Sequence, residues 1–215
     1  MTGGLAYVRD PGEIYRQSFA TIEREANLSR YSPAMRAVAI RLVHACGMVD
    51  LLDDLVFCDG AAEAGRAALA AGRPVFCDVE MVRTGIIPAR LPAGNALVCT
   101  LNDPRAAAIG RANGETRSAA AVELWDERLD GAIAVIGNAP TALFRLLERL
   151  DVGAPRPALI VGMPVGFVGA VEAKAELAAN PRGAAFITIA GRRGGSALAA
   201  AAVNGLGNGA AEWRV

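Results

Sequence analysis

Lysine is almost missing from this chain. Of 22 basic residues only Lys174 is a lysine, and the rest are arginines. There is one histidine, His44, and aromatic residues supply 5% of the 215 positions. Formal net charge is zero, so there is no electrostatic case for nucleic acid or a membrane surface as partner. No uncharged apolar run approaches the ~20 residues that a membrane-spanning helix needs. The N-terminus lacks the basic-then-apolar pattern of a secretory signal. Both observations lead to the expectation of a cytoplasmic protein. The four cysteines, Cys46, Cys58, Cys77 and Cys99, include no C-x-x-C pair. With a single histidine they cannot complete a Cys/His metal site of usual form, so no metal is expected. Three of them lie in apolar runs, as buried thiols in a reducing compartment do.

Several motifs are absent too. No G-x-S-x-G elbow is present, which argues against a serine hydrolase of that type. No G-x-x-x-x-G-K-[ST] loop is present. Gly162-Met163-Pro164-Val165-Gly166 is not G-x-G-x-x-G, and no acidic residue follows at the required distance, so dinucleotide binding has weak support.

What the chain has is a repeated unit. Ala132 to Ile136 runs into Gly137-Asn138-Ala139-Pro140 and then Thr141 to Glu148. Ala158 to Val161 runs into Gly162 to Gly166 and then Phe167 to Leu177. Phe186 to Ile189 runs into Gly191-Arg192-Arg193-Gly194-Gly195-Ser196 and an Ala-rich segment ending near Leu206. Each reads as buried strand, tight turn, helix. Short, continuous, β-branched strands are expected where helices cover both faces of a parallel sheet. Ligands of such sheets sit at the carboxyl ends of the strands, where all three Gly-rich turns fall. The last turn would suit an anion at a helix start, and it reads equally as a turn that needs glycine for positive φ.

Upstream, Asp10-Pro11, Ser32-Pro33 and Asp103-Pro104 are helix-start signals. They predict helices from Pro11 to about Ala26, from Pro33, and from Pro104. A further helix is predicted over Asp59–Ala71 and another over Glu115–Arg128. Pro74–Val79 and Ala96–Leu101 read as two more strands, which makes five. Met81–Ile86 reads as a loop at a strand end, and 207–215 as a loose tail. On the second helix Arg41 and His44 point the same way from adjacent turns. His44 is the one group whose ordinary pKa, about 6.5, lies near neutrality. A half-buried histidine with a satisfied hydrogen bond is the bland reading, and it stands beside the catalytic one. Ser18 sits near the apolar stripe of the first helix. Arg117 opens a helical turn, where it would add to an anion site or form a surface ion pair. The residues alone lead to an α/β enzyme with one histidine, several arginines and an anionic ligand.

The motifs go further. Ile136 to Phe144, Gly162 to Val168, Gly191 to Ser196, Arg41-Leu42-Val43-His44-Ala45, the Met81 to Ile86 loop and Thr116-Arg117-Ser118 resemble the precorrin-8X methylmutase family of corrinoid biosynthesis. The resemblance covers about residues 7–206. Ala173 stands where the family usually has serine, and Gly205 where it usually has alanine. The resemblance implies one domain over 1–215, a three-layer α/β/α fold with a five-stranded parallel sheet, flavodoxin-like, and a homodimer with active sites near the interface. It implies an isomerase that moves a methyl group from C-11 to C-12 of a corrin precursor to give hydrogenobyrinate, with no cofactor. His44 matches the acid. Ser18, Thr84, Gly85, Arg117 and Arg192 match positions around the tetrapyrrole, and Arg41 and Asn138, in the same motifs, are grouped with them. The same shift on cobalt-precorrin-8, giving cobyrinate, and a tetrapyrrole-binding protein without turnover are the alternatives.

That reaction fits the inventory. An intramolecular [1,5]-sigmatropic shift needs no nucleophile, hydride or metal. It needs a macrocycle held in one geometry and made electron-poor. A protonated imidazole can do the second, and arginines that grip acetate and propionate arms can do the first.

Overall fold

The computed structural model describes residues 5–125 and 127–207. The predicted tail thus lies, from residue 208, outside the described residues. Helices α1 (Pro11–Glu25) and α2 (Pro33–Cys46) lead into the short strand β1 (Leu55–Phe57) and α3 (Ala61–Ala70). Then follow β2 (Val75–Cys77), α4 (Glu80–Gly85), β3 (Leu97–Cys99), α5 (Pro104–Asn113) and α6 (Arg117–Val122). Three strand–helix units complete the order: β4 (Ile133–Ile136) with α7 (Pro140–Asp151), β5 (Leu159–Gly162) with α8 (Ala170–Ala179), and β6 (Ala185–Ile189) with α9 (Ser196–Leu206).

The three Asp-Pro and Ser-Pro signals work as capping chemistry. Asp10 Oδ1 accepts from Glu13 N at 2.7 Å, Ser32 Oγ from Met35 N at 3.2 Å, and Asp103 Oδ1 from Arg105 N at 2.9 Å. Each satisfies an amide that the first helical turn leaves bare.

The sheet has six strands in the order β1-β6-β5-β4-β2-β3. Five of them, β2 to β6, are parallel, and β1 joins the β6 edge antiparallel. Counted from β2, the parallel strands run 2-1-3-4-5, the flavodoxin-like doubly wound order, with its switch point between β2 and β4. The expected five-stranded parallel sheet is therefore corrected to a mixed sheet of six. The extra strand is only Leu55-Val56-Phe57; it covers the edge that β6 would otherwise expose.

Successive strand residues feed opposite cores. Val75, Cys77, Ile133, Val135, Leu159, Val161, Ile187 and Ile189 pack with α1, α2, α3 and α9. Phe76, Ala134, Ile136, Ile160 and Phe186 pack with α6, α7 and α8 around Trp125. The strands β2, β4, β5 and β6 are buried on both faces, which is why they read as unbroken apolar runs. Helix α9 is sandwiched between the sheet and α2, and from Leu198 to Leu206 every residue is buried. It is Ala-rich because the layers are close: a Cβ on Gly205 would lie 2.8 Å from Val38 Cα.

Two other expectations are corrected. Met81 to Gly85 belongs to the short helix α4, not to a loop. The helix expected over Glu115–Arg128 is only Arg117–Val122, followed by a 3-10 turn at Glu127–Leu129. No described helix is long and apolar enough to cross a membrane.

Candidate active site

The carboxyl ends of β2, β4, β5 and β6 converge on one edge of the sheet. At the switch point the chain closes its own crevice. Asp78, 1% exposed, follows β2. Its carboxylate accepts from Gly137 N at 3.0 Å and from Asn138 N and Ala139 N at 2.9 Å each. Burial pushes this carboxyl above its usual range, and those amides pull it back. Gly137 has to be glycine for a steric reason. A Cβ there would lie 2.6 Å from Val82 Cγ2, 2.9 Å from Ala199 Cβ and 2.9 Å from Ser196 Cα. The turn after β4 is thus wedged against α4 and the start of α9.

Helix α4 is held from the other side by Asn204. Its Nδ2 donates to Gly85 O at 3.0 Å and its Oδ1 accepts from Ile87 N at 2.8 Å. A Cβ on Gly85 would come 2.9 Å from Ala200 Cβ. Thr84, one residue earlier, is exposed and turns its hydroxyl back to donate to Glu80 O at 2.8 Å. Arg192 follows β6, is exposed, and lays its guanidinium 5.3 Å from the ring centre of Phe167. Phe167 and Val168 are 87% and 88% exposed in the loop after β5; the helix that the sequence pattern starts at Phe167 begins only at Ala170. The loop carrying Arg192 is anchored by Lys174, whose Nζ donates to Arg193 O at 2.6 Å, and by Arg193, which pairs with Asp50 and Asp54.

The titratable centre is His44, near the C-terminal end of α2. Ser18 Oγ lies 2.8 Å from His44 Nδ1. The imidazole is flanked by the rings of Phe19 and Tyr15, at 5.0 and 5.4 Å between centres. Arg41, buried one turn earlier, lies over Phe19 at 5.2 Å and Tyr15 at 5.9 Å. Burial and then the Arg41 charge hold the His44 pKa below its ordinary 6.5. Nε2 has no hydrogen-bond partner among the described residues. His44 and Ser18 line a cavity of about 490 Å³ between α1 and α2, with Thr21 and Glu25 on its polar side and Ile14 and Val43 on its apolar side.

Of the residues singled out in the sequence, the fold thus brings Ser18, Arg41 and His44 together. Thr84, Gly85, Asn138 and Arg192 stand at the carboxyl ends of the strands. Arg117 stands on α6, beside the start of α7. It opens α6 just after the cap Thr116, whose Oγ1 accepts from Ala119 N at 3.2 Å and lies 2.8 Å from Thr141 Oγ1. A six-residue helix brings little dipole to an anion there, so Arg117 would act by its own charge. Asp78 and Asn204 escaped sequence reading because their partners lie 59 to 61 and 117 to 119 residues away. The one available signal was a polar residue inside an otherwise apolar stretch. The cysteines offer no ready nucleophile among the strands: burial pushes the Cys77 thiol up, and Cys99 to about 11. Among the described residues no cluster of three or more His, Cys, Asp or Glu side chains could hold a metal ion.

The family model described as precorrin-8X methylmutase matches residues 13–208. A precorrin-8X methylmutase of Pseudomonas aeruginosa is 58% identical over 202 residues, covering 94% of this chain and 97% of its own. One from Sinorhizobium sp is 56% identical over 200 residues, covering 93% and 95%. The cobalt-precorrin-8 methylmutase of Salmonella typhimurium is 37% identical over 210 residues, covering 94% and 97%. The crystal structure of the Thermus thermophilus precorrin-8X methyl mutase superposes with a TM-score of 0.80 at 40% identity, over 90% of this chain and 94% of that one.

Proposed function

The chain belongs to the precorrin-8X methylmutase family, and on that premise we propose a course for its reaction in which His44 is the acid. It is an isomerase of cobalamin biosynthesis that shifts a methyl group within a tetrapyrrole. The proposed substrate is metal-free precorrin-8X, with C-11 to C-12 migration giving hydrogenobyrinate. The relatives at 58% and 56% identity carry the metal-free name, whereas those named for the cobalt substrate, from several sources, lie between 31% and 37%.

The observation that carries the mechanism is the Ser18–His44 pair on the wall of an open cavity. A hydroxyl can donate to neutral Nδ1 or accept from protonated Nδ1–H. It therefore orients the ring in both states and leaves Nε2 to face the substrate. Protonation of the corrin precursor near ring C by Nε2–H draws electron density from the ring while the methyl group moves. The proton returns as the product tautomer settles. A pKa held low makes the imidazolium a stronger acid, and a carboxylate arm beside it in the complex would refill the proton.

Positioning falls to Arg192, Arg117 and the turn that carries Asn138, with Thr84 and Gly85 lining the approach and Arg41 setting the charge behind the imidazole. A cavity of about 490 Å³ is small for a flat macrocycle with several acid arms. That supports a homodimer in which each site is completed near the subunit interface; the compartment proposed for it is the cytoplasm. Light scattering should then give about twice 22.2 kDa. The deciding assay gives the purified protein precorrin-8X and cobalt-precorrin-8 separately and follows absorbance, since methyl migration lengthens the conjugated path. Faster turnover of precorrin-8X is expected. Preference for the cobalt compound would reverse the substrate assignment, and binding without spectral change would make the protein a carrier.

A further inference from the structure

We infer that the first turn of α9 is a carboxylate site, with Ser196 Oγ and the turn's backbone N–H groups as donors to one acid arm of the tetrapyrrole. The inference rests on the reading of the ligand as a polycarboxylate and adds a binding residue that neither the motifs nor the relatives' names assign.

Ser196 is the first residue of an eleven-residue helix whose cap is Gly195, with no side chain to offer. A serine one position earlier would have capped the helix; at this position its hydroxyl is past the point where capping geometry works. Ser196 is 8% exposed, and its Oγ is buried with no hydrogen-bond partner among the described residues. A buried hydroxyl left unpaired is costly, and each one in a native fold calls for a reason. Packing does not supply it. Alanine would fill the place as well, as Ala197, Ala199, Ala200, Ala201 and Ala202 do along the same helix.

The surroundings point to an anion. The first intrahelical bond runs from Ala199 N to Gly195 O at 3.0 Å, so the amides of Ser196, Ala197 and Leu198 precede it and have no helical acceptor. Helix side chains lean toward the N-terminus, which carries Oγ over those amides. Three turns press in around this point. A Cβ on Gly137 would touch Ser196 Cα, one on Gly194 would lie 2.4 Å from Met163 O, and Gly195 N donates to Met163 O at 2.8 Å. The site is therefore built rigidly, at the carboxyl ends of β4, β5 and β6. In the turn before α7, by contrast, the amides of residues 137–139 already have an acceptor in Asp78. Arg192, four residues before Ser196 and exposed, adds positive charge on the approach.

The test is the Ser196→Ala variant, which keeps a good helix former in place. Product titration should show hydrogenobyrinate bound about 10- to 150-fold more weakly, the range of one lost hydrogen bond to a charged group. The ligand-free variant should melt no lower than the parent, since none of the described residues pairs with Oγ. A purely structural serine would give the opposite pattern, with a lowered melting temperature and unchanged product affinity, and that result overturns the inference. If the parent itself binds no corrinoid, the methylmutase reading fails separately. The α9 site is then judged with acetate alone, from the amide resonances of Ala197 and Leu198. Saturable shifts in the parent that Ser196→Ala abolishes support it; no shift in the parent overturns it.

Discussion

Replacing Gly137 by alanine should loosen the site without touching any polar group. The φ of Gly137 lies outside the left-handed region, so alanine can adopt its backbone. Gly→Ala at such a position would otherwise stabilise by about 0.4–1 kcal/mol through the unfolded chain. Here the new methyl would sit 2.6 Å from Val82 Cγ2 and 2.9 Å from both Ala199 Cβ and Ser196 Cα, against an ordinary contact of 3.4–4 Å. Val82 and Ala199 are fully buried, and Ser196 Cα is backbone, so none can swing aside. Overpacking of this kind costs typically ~1–3 kcal/mol. The net loss is about 1–2 kcal/mol, a fall in Tm of roughly 2–8 °C for a chain of this size. The groups pushed apart are α4 and the start of α9, so product affinity and single-turnover rate should drop with it. A ~1 Å misplacement can cost ~100-fold in rate. Gly12→Ala in α1, where a Cβ would meet only Asp10 Oδ1 at 3.4 Å, is the control and should melt like the parent or slightly higher. A Gly137→Ala protein with parental Tm and parental rate would refute the wedge and with it the claim that the turn positions the site.

Arg117→Ala and Arg192→Ala should each weaken product binding about 10- to 150-fold if each guanidinium holds an arm; lysine should recover only part, because the bidentate fork is lost. Product titrations that match the parent would return both residues to surface structure. Lys174→Met should change how stability depends on alkaline pH. Burial pushes the Lys174 ammonium down to about 8 from an ordinary 10.5. Between those values the unfolded chain binds more protons, so the parent gains stability as pH rises through that window. Thermal melts of the variant should lack this rise, and parallel curves for the two proteins would contradict it. For the parent enzyme, kcat/KM should fall on the alkaline side with a midpoint below 6.5, because burial and then Arg41 lower His44 in the free protein. The kcat profile should fall at higher pH, where an arm carboxylate supports the imidazolium; coincident midpoints would count against that carboxylate.

Much of this was legible in the residues. The strand–turn–helix units after Ala132 and the three Pro-marked helix starts are local chemistry, and they stand where the sequence puts them, except that the helix expected from Phe167 begins at Ala170. Leu55-Val56-Phe57 was not legible, because three residues carry too little pattern to separate an edge strand from a loop. Met81 to Ile86 misled because α4 has no side-chain cap and is held from a distance by Asn204. His44 stood out as the lone imidazole. Its partner Ser18, 26 residues earlier, came through the family resemblance, since neither helix's pattern says which faces meet. Asp78 was hidden inside a predicted strand, and Lys174 drew notice only as the one lysine. Contacts across the fold decide such residues, and periodicity does not report them.

The central claim is that His44 supplies a proton to the migrating system while other groups hold the substrate. Single-turnover kinetics of His44→Asn against the parent, with hydrogenobyrinate titrated into both, tests it most directly. The account predicts a rate lower by ~10²–10⁴, the usual worth of a positioned acid, with product affinity within a few-fold of the parent. A folded variant that binds product and turns over at close to the parental rate would remove His44 from the chemistry.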